Sequence, residues 1–565
     1  MKFNFCVQKT LFLLLVFATL QAFSQVQTNQ VYDPELNLYI TKPTFENSGD
    51  INPQNRKLRY RPDGEDFVIV NGKNRFNRAL YGTNTGFRVE TGDVPEFALY
   101  LPRMGGNLSF GIRSKKQNIQ LNDADRIESR YRAGARIYNI TDSVLGKGRL
   151  TITALAIADA EGLILKIETY KIADKVSLNW TFGGCADKRF SREGDLGVDA
   201  PDCFYLKPEY CAGNEFSISG NTFQVVFGAK KDRKLTGIFP EKSKLTVTEK
   251  TPVLKSELKL KKNTVYYLLI QIPENKNDIS YADLASIFNK AEEARKKTAS
   301  QIHISTPDPY FNTLGSTLSM AADGIWSGET WLHGAVGWRM PLSGWRAAYT
   351  GDVLGWHDRS RKHFNAYAAS QVNNVTVKFP HPTQDSALNF ARSEKKWGTE
   401  MYSNGYICRN PNRNDQMHHY DMNLCYIDEL LWHFNWTGDT VYVRQMWPVL
   451  TSHLAWEKRN FDPDNDGLYD AYCCIWASDA LYYNSGGVTH SSAYNYRANK
   501  MAAELAKLIG QRPEPFQNEA NKILKAINSK LWLQNKGHWA EFQDFMGNKK
   551  VHENENKKKT TNTNS

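Results

Sequence analysis

The chain has 565 residues, several times the usual domain of about 100 to 200, which excludes a single small binding module. Hydrophobic residues at 41% and charged residues at 23%, with 21 Pro and 38 Gly, exclude a collagen-like or largely disordered chain. The net charge of +11 lies almost wholly upstream: positions 301–565 carry 27 Lys+Arg against 26 Asp+Glu, leaving 44 against 34 before them, whereas 13 of the 14 Trp fall between Trp326 and Trp539.

Lys2 and Lys9, the apolar run Leu11 to Leu20, and Ala22-Phe23-Ser24-Gln25 have the charged start, short apolar stretch and small-x-small end of a secretory signal peptide. The run is shorter than the roughly 20 apolar residues of a spanning helix, so residues 1–24 are expected to be removed before Gln25 and no stable membrane insertion is expected. The product would be periplasmic or extracellular. For such a chain nucleic acid is not an expected partner, and pieces such as Lys230-Lys231-Asp232-Arg233-Lys234 read as a solvated face. Seven cysteines would remain. Cys185, Cys203 and Cys211 are close enough for one disulfide among them, and Cys425 sits on an apolar helical stripe.

From about Arg59 to Ile272, β-rich runs alternate with turn residues: Phe67 to Val70 before Asn71-Gly72, Leu150 to Ile157 turning through Asp159-Ala160-Glu161-Gly162 into Leu163 to Tyr170, then Phe223 to Phe227, Lys244 to Thr248 and Thr264 to Ile272. Many short strands without intervening helices predict an antiparallel β-sandwich over 25–275. Tyr281 to Ser300 then reads as a linker helix within 276–304.

After Thr306 the period becomes helical. Asp308-Pro309 caps Tyr310 to Trp326, and Asp421 is expected to cap Met422 to Phe434, with its stripe of Leu424, Ile427, Leu430, Leu431 and Phe434. Thr437-Gly438-Asp439 turns the chain into Thr440 to Arg459. Ala493 to Ile509 ends at Gly510, and Phe516 to Trp532 follows. These are helical hairpins joined by long aromatic-rich connections, over 305–550. Residues 551–565, with Lys557-Lys558-Lys559 and no apolar pattern, read as a disordered tail.

Thr306-Pro307-Asp308-Pro309, the run Tyr420-Asp421 to Ile427-Asp428-Glu429-Leu430-Leu431, Trp436-Thr437-Gly438-Asp439, and Trp447-Pro448 before Asp462 to Asp470 together resemble the six-hairpin (α/α)6 toroid glycosidase superfamily. Its members commonly order a β-sandwich, a linker helix and the toroid. Gly337-Trp338-Arg339 to Gly344-Trp345-Arg346 and Tyr349 to Asp352 is similar to a region of α-L-rhamnosidases. Their acidic residue before the Gly-Trp pair is replaced here by Arg339 to Leu342, so only Asp352 carries over, as a sugar-hydroxyl acceptor. Trp476-Ala477-Ser478-Asp479, then Gly486-Gly487 and His490-Ser491, resembles the acid-bearing segment of glucosylceramidase-type toroids, which implies Asp479 as proton donor. Twelve helices make a full toroid and 305–548 supplies seven or eight, so the toroid is expected to be C-terminally incomplete.

Glycosidic cleavage needs one carboxylic acid and one carboxylate flanking the bond. Asp479 lies among Trp476, Tyr482 and Tyr483, whose burial of a carboxyl would suit acid duty, although a loop aspartate is also a helix cap. Glu329 is the candidate base, against an exposed or paired carboxylate. Trp326, Trp331, Trp338, Trp345 and Trp356 are either core or a sugar-stacking row, and their interleaved Gly, Arg and His favour the row. Arg339 and Arg346 suit a carboxylated or sulfated sugar, or else pair with Asp352 or Asp358. The expected substrate-binding set is Trp338, Arg339, Trp345, Arg346, Asp352, Trp476 and His490. Asp462-x-Asp464-x-Asp466-Gly467 imitates a calcium loop, but Cys473 stands where a bidentate Glu is needed. Neither a metal nor a cofactor is expected. The reading is an exported, carbohydrate-directed glycoside hydrolase, incomplete as it stands; its alternative is a non-catalytic glycan-binding or scaffold protein.

Overall fold

In this computed structural model the described residues are 30–33, 38–41, 60–73, 78–188, 201–273, 279–336, 339–375, 402–416, 421–471, 473–474, 481–482, 486–544 and 546–551. Two compact units divide the chain, Met1–Arg61 and Pro62–Ser565. The first contributes a hairpin, Gln30–Asp33 against Leu38–Thr41. The second holds both the sheets and the helices.

Two antiparallel sheets face each other. The ten-stranded one runs, in spatial order, from Glu215–Ser219 through Thr222–Phe227, Arg233–Ile238, Val265–Gln271, Gly162–Tyr170, Arg149–Ala156, Ala135–Thr141, Arg126–Arg132 and Asp66–Val70 to Arg61–Asp63. In the eight-stranded one, Ser177–Cys185 and Met104–Arg113 are central, register-paired from Ser177 with Arg113 to Phe182 with Leu108. Strand alternation sends Leu150, Ile152, Leu163, Leu165 and Ile167 from one sheet, and Leu108, Phe110, Leu178, Trp180 and Phe182 from the other, into a shared core. The opposite face of the ten-stranded sheet is apolar too. Leu155, Ile164 and Leu269 pack there against Leu284, Phe288 and Ala291 of α1 (Leu284–Ala299), which is why the strand Gly162–Tyr170 reads as a near-continuous apolar run. Cys185 and Cys211 remain free thiols, so no disulfide joins them.

Beyond α1 come α2 (Pro309–Gly324), α3 (Tyr349–Val353), α4 (His357–Ala368), α5 (Met422–Thr437), α6 (Thr440–Phe461), α7 (Thr489–Ile509) and α8 (Glu514–Ala526). Asp308 Oδ1 accepts from Tyr310 N at 2.8 Å and Asp439 Oδ1 from Tyr442 N at 3.0 Å, as N-caps do. Asp421 does not cap α5: its backbone is already helical, its carboxyl makes no cap bond, and it is fully buried. Short turns join α3 to α4, α5 to α6 and α7 to α8, and α5 packs against α3, α4, α6 and α7. Three hairpins therefore stand side by side. Their long connections, 325–348, 369–421 and 462–488, all enter at the N-terminal ends of α3, α5 and α7.

One joint fastens the sandwich to this layer. Arg88, 1% exposed on the strand Arg88–Thr91, donates to Gly324 O at 2.8 Å, to Thr85 O at 2.9 Å and to Phe87 O at 2.6 Å. Tyr81 donates to Met320 O at 2.6 Å and to Asp323 at 2.9 Å. A helix C-terminus offers unsatisfied carbonyls and a negative dipole end, so α2 terminates on a cation from the sheet. Replacing Arg88 by Met strands those acceptors in a closed site. Chemical denaturation of Arg88→Met is expected to show a loss of about 2 to 4 kcal/mol. Arg113→Met, which removes an exposed pair with Glu257, should cost less than about 1 kcal/mol.

Candidate functional site

The connection 325–348 is folded onto its neighbours by its aromatic residues. Trp326 and Trp331 are 4% and 1% exposed, their ring centroids 4.8 Å apart, and Trp331 stacks on Trp356 at 5.9 Å. Arg359 covers Trp356 at 4.3 Å. These rings are core, because they fill the space between the connection and α4, and Trp331 N donates to the buried His363 Nδ1 at 3.1 Å. Trp345 differs: it is half-buried, edge-on to His333 at 4.5 Å and beneath Arg346 at 5.4 Å. Gly344 before it touches the start of α5 so closely that a Cβ would lie 2.2 Å from Met422 O. Arg346 after it is exposed with φ of 63°, a left-handed conformation that non-glycine residues adopt at a cost. Trp338, Trp476 and Asp479 lie outside the described residues.

Arg339 reaches the same helix end as Arg88. It donates to Gly324 O at 2.9 Å, to Trp326 O at 3.3 Å and to Asn84 O, so neither Asp352 nor Asp358 is its partner. Burial pulls the Arg88 guanidinium down to about 10, helped by the Arg339 charge beside it. Next to this joint is a cavity of about 690 Å³, between the sandwich edge and the connection, lined among others by Asn84, Tyr100, Arg103, Ser327, Leu332 and Arg339. Its volume and its mixture of aromatic, apolar and hydrogen-bonding walls are those of small-molecule sites at such junctions. Glu329 lies two residues past Ser327, exposed, with Oε1 accepting from Asn412 at 2.7 Å.

A second group of charges lines the connection-facing half of α5. Asp428 accepts from Arg497 of α7 at 2.5 Å and from the Tyr349 hydroxyl. Its neighbour Glu429 is fully enclosed, accepts from Ala348 N at 3.1 Å, and is pushed well above the usual carboxyl range by burial, then by Asp428, with Ala348 and Arg346 opposing. The adjacent carboxylates in Ile427-Asp428-Glu429-Leu430 are the signal that could have marked them; read only as part of a fold motif, they pass unnoticed. His490, at the start of α7, is brought down to about 4 by burial. Glu457 on α6 is pushed up to about 8, chiefly by burial and against the hydrogen bond from Asn495 at 2.9 Å.

Asp352 is apart from all of these. It is buried at the far side of α3, its carboxylate within 3.0 Å of Nδ1 of His433 and 2.8 Å of Nδ1 of His357, a set able to hold a metal ion. Asp462, Asp464 and Asp466 are also close together, but the Lys458 ammonium meets Asp462 and Lys530 meets Asp466 at 2.6 Å, where a cation would bind. The structure thus places Trp345 and Arg346 on one connection with Glu329 and Arg339, while Asp352 is turned away from them.

Residues 101–292 match the family model for a domain of unknown function (DUF4450), and no curated protein matches the chain. Among solved structures, a bacterial glucoamylase complexed with acarbose is similar over 84% of this chain and 73% of its own, at 10% identity and a TM-score of 0.48. A GH78 family rhamnosidase from Bacillus sp. GL1 is similar over 74% and 34% of the two chains, at 12% identity and TM-score 0.36. A GH92 inverting mannosidase from Bacteroides thetaiotaomicron is similar over 87% and 64%, at 9% identity and TM-score 0.36.

Glu457 gives the layer a pH signature. Unfolded, its carboxyl ionises near the ordinary 4.5; folded, it holds its proton until about pH 8. The folded state binds more protons in between, so this group makes stability fall as pH rises through that window. Urea denaturation of Glu457→Gln against the native chain is expected to show a stability advantage that grows from pH 5 to pH 8.

Proposed function

We propose that the chain is an exported glycoside hydrolase of the six-hairpin (α/α)6 type, acting on polysaccharide or oligosaccharide fragments. The observation that carries this reading is the cavity lined among others by Tyr100, Arg103, Asn84 and Arg339: an aromatic residue, two arginines and an amide side chain beside a space of about 690 Å³ are residue types that suit a sugar's apolar face and its hydroxyls. Glu329 on the same connection is the proposed base, and Asp479 the proposed acid. Trp345, Arg346 and His490 belong to the same connection-bearing end and are proposed to extend substrate contact, with Trp338 and Trp476. Asp352 is held by two imidazoles and takes no part in this proposal. Among the described residues no helix is long and apolar enough to cross a membrane, and export rests on the N-terminal sequence.

A second reading, a glycan-binding protein without hydrolysis, is favoured by one feature: the enclosed carboxyls Glu429 and Glu457 are buried in protein and neither is among the residues lining the cavity. A panel of plant and algal oligosaccharides, scored for binding and cleavage, separates the two. The expected outcome is cleavage that drops at least about 100-fold in Glu329→Gln and Asp479→Asn with binding kept, and binding that weakens about tenfold in Tyr100→Ala. Binding without cleavage supports the second reading; neither activity on any glycan ends both. Mass spectrometry of the exported product is expected to find Gln25 first.

A further inference from the structure

We propose that Asp352, His357 and His433 form a mononuclear binding site for a divalent transition-metal ion of the zinc type. Three separate elements converge there: Asp352 on α3, His357 at the first position of α4, and His433 near the end of α5. Nδ1 of His357 is 2.8 Å from Asp352 Oδ1, and Nδ1 of His433 is 2.9 Å from Oδ1 and 3.0 Å from Oδ2. All three donor atoms fall within 4.8 Å of one another. A tetrahedral ion with bonds of about 2.0 to 2.1 Å needs its ligand atoms about 3.3 Å apart, so a small outward movement of each side chain admits it.

The donor chemistry points to the same class of ion. Two imidazoles with one carboxylate are borderline ligands, suited to zinc, cobalt or iron rather than to calcium or magnesium, which take oxygen. Their net charge of −1 offsets half of the ion's +2, and among the described residues Asp352 has neither a lysine nor an arginine partner, unlike the triad Asp462, Asp464 and Asp466.

The surroundings are those of a ligand site with one open side. The His433 side chain is fully buried and that of Asp352 nearly so, whereas His357 is 44% exposed and gives solvent a path to a fourth coordination position. Phe364 at 5.3 Å and Tyr442 at 5.5 Å confine the His433 ring. Among the described residues nothing hydrogen-bonds its Nε2, so the Nδ1 end alone, facing the carboxylate, orients this buried ring. The site stands at the end of the hairpin layer remote from the long connections. Bound metal would clip α3, and with it the connection 325–348, to α4 and α5. This inference does not depend on the glycosidase reading.

The test is titration of the purified full-length chain, after removal of metal by a chelator, with Co²⁺ and then Zn²⁺. The expected result is one equivalent of Co²⁺ with the intense visible absorption of a four-coordinate site, displaced by Zn²⁺, and a rise in Tm with either ion. His357→Ala, at a half-exposed position that leaves the buried pair in place, should weaken binding at least about tenfold and abolish the Tm rise. Asp464→Asn should change neither. Absence of saturable binding, binding unaffected by His357→Ala, or binding lost in Asp464→Asn would each overturn the proposal, leaving Asp352 and its histidines a hydrogen-bonded cluster.

Discussion

The last turn of α2 is the constraint on which the rest depends. Its carbonyls and Asp323 take Arg88 and Tyr81 from the sandwich, Arg339 from the connection 325–348 and Arg359 from α4 at 2.6 Å. A free helix C-terminus carries partial negative charge and orphan acceptors that water would otherwise satisfy. Here protein cations replace water, so sheet, connection and helix layer are held at one point. Burial first, and the neighbouring Arg339 charge second, draw Arg88 below the usual arginine range, while the shared acceptor Gly324 O holds the two guanidinium groups at this helix end. The cavity lies against this joint and shares Arg339 with it.

The helix layer then divides its polar groups by depth. Where the connections enter, Asp428 is paired with Arg497 and Tyr349, while Glu429 next to it is enclosed and pushed well above the usual carboxyl range by burial. At the opposite end Asp352 holds two imidazoles. Adjacent carboxyls in unlike surroundings, one paired and one desolvated, are a common way for a fold to separate acid from base. In this chain the pair serves α5: it fixes the start of α3 through Ala348 and Tyr349 and the side of α7 through Arg497. The stretch that carries the exposed Glu329 and Arg346 and the half-buried Trp345 is consequently borne on a connection anchored at its base by these contacts.

Much of the architecture is legible in the sequence because it is local. The runs Leu150 to Ile157 and Leu163 to Tyr170 pair as a hairpin in register, and the stripe of α5 faces the core as its period requires. What is not legible is non-local. Val265–Gln271 pairs with both Gly162–Tyr170 and Arg233–Ile238, a join across about a hundred residues that no turn signal announces. Asp421 reads as a cap because aspartate before an apolar stripe usually is one; burial beneath its neighbours decides otherwise. Tryptophan at wide spacing reads equally as core or cleft, and only packing shows Trp326 and Trp331 to be core. Arg88 gives no signal at all, since its role depends on a helix end 236 positions away.

The junction of sandwich and helix layer, rather than an open helix face, is the proposed saccharide site. A crystal structure of the chain with a bound oligosaccharide tests it most directly. Sugar density is expected in the cavity against Tyr100, Arg103 and Arg339. Density instead on the exposed rings of Trp432 and Trp436 along α5, with the cavity empty, would contradict it.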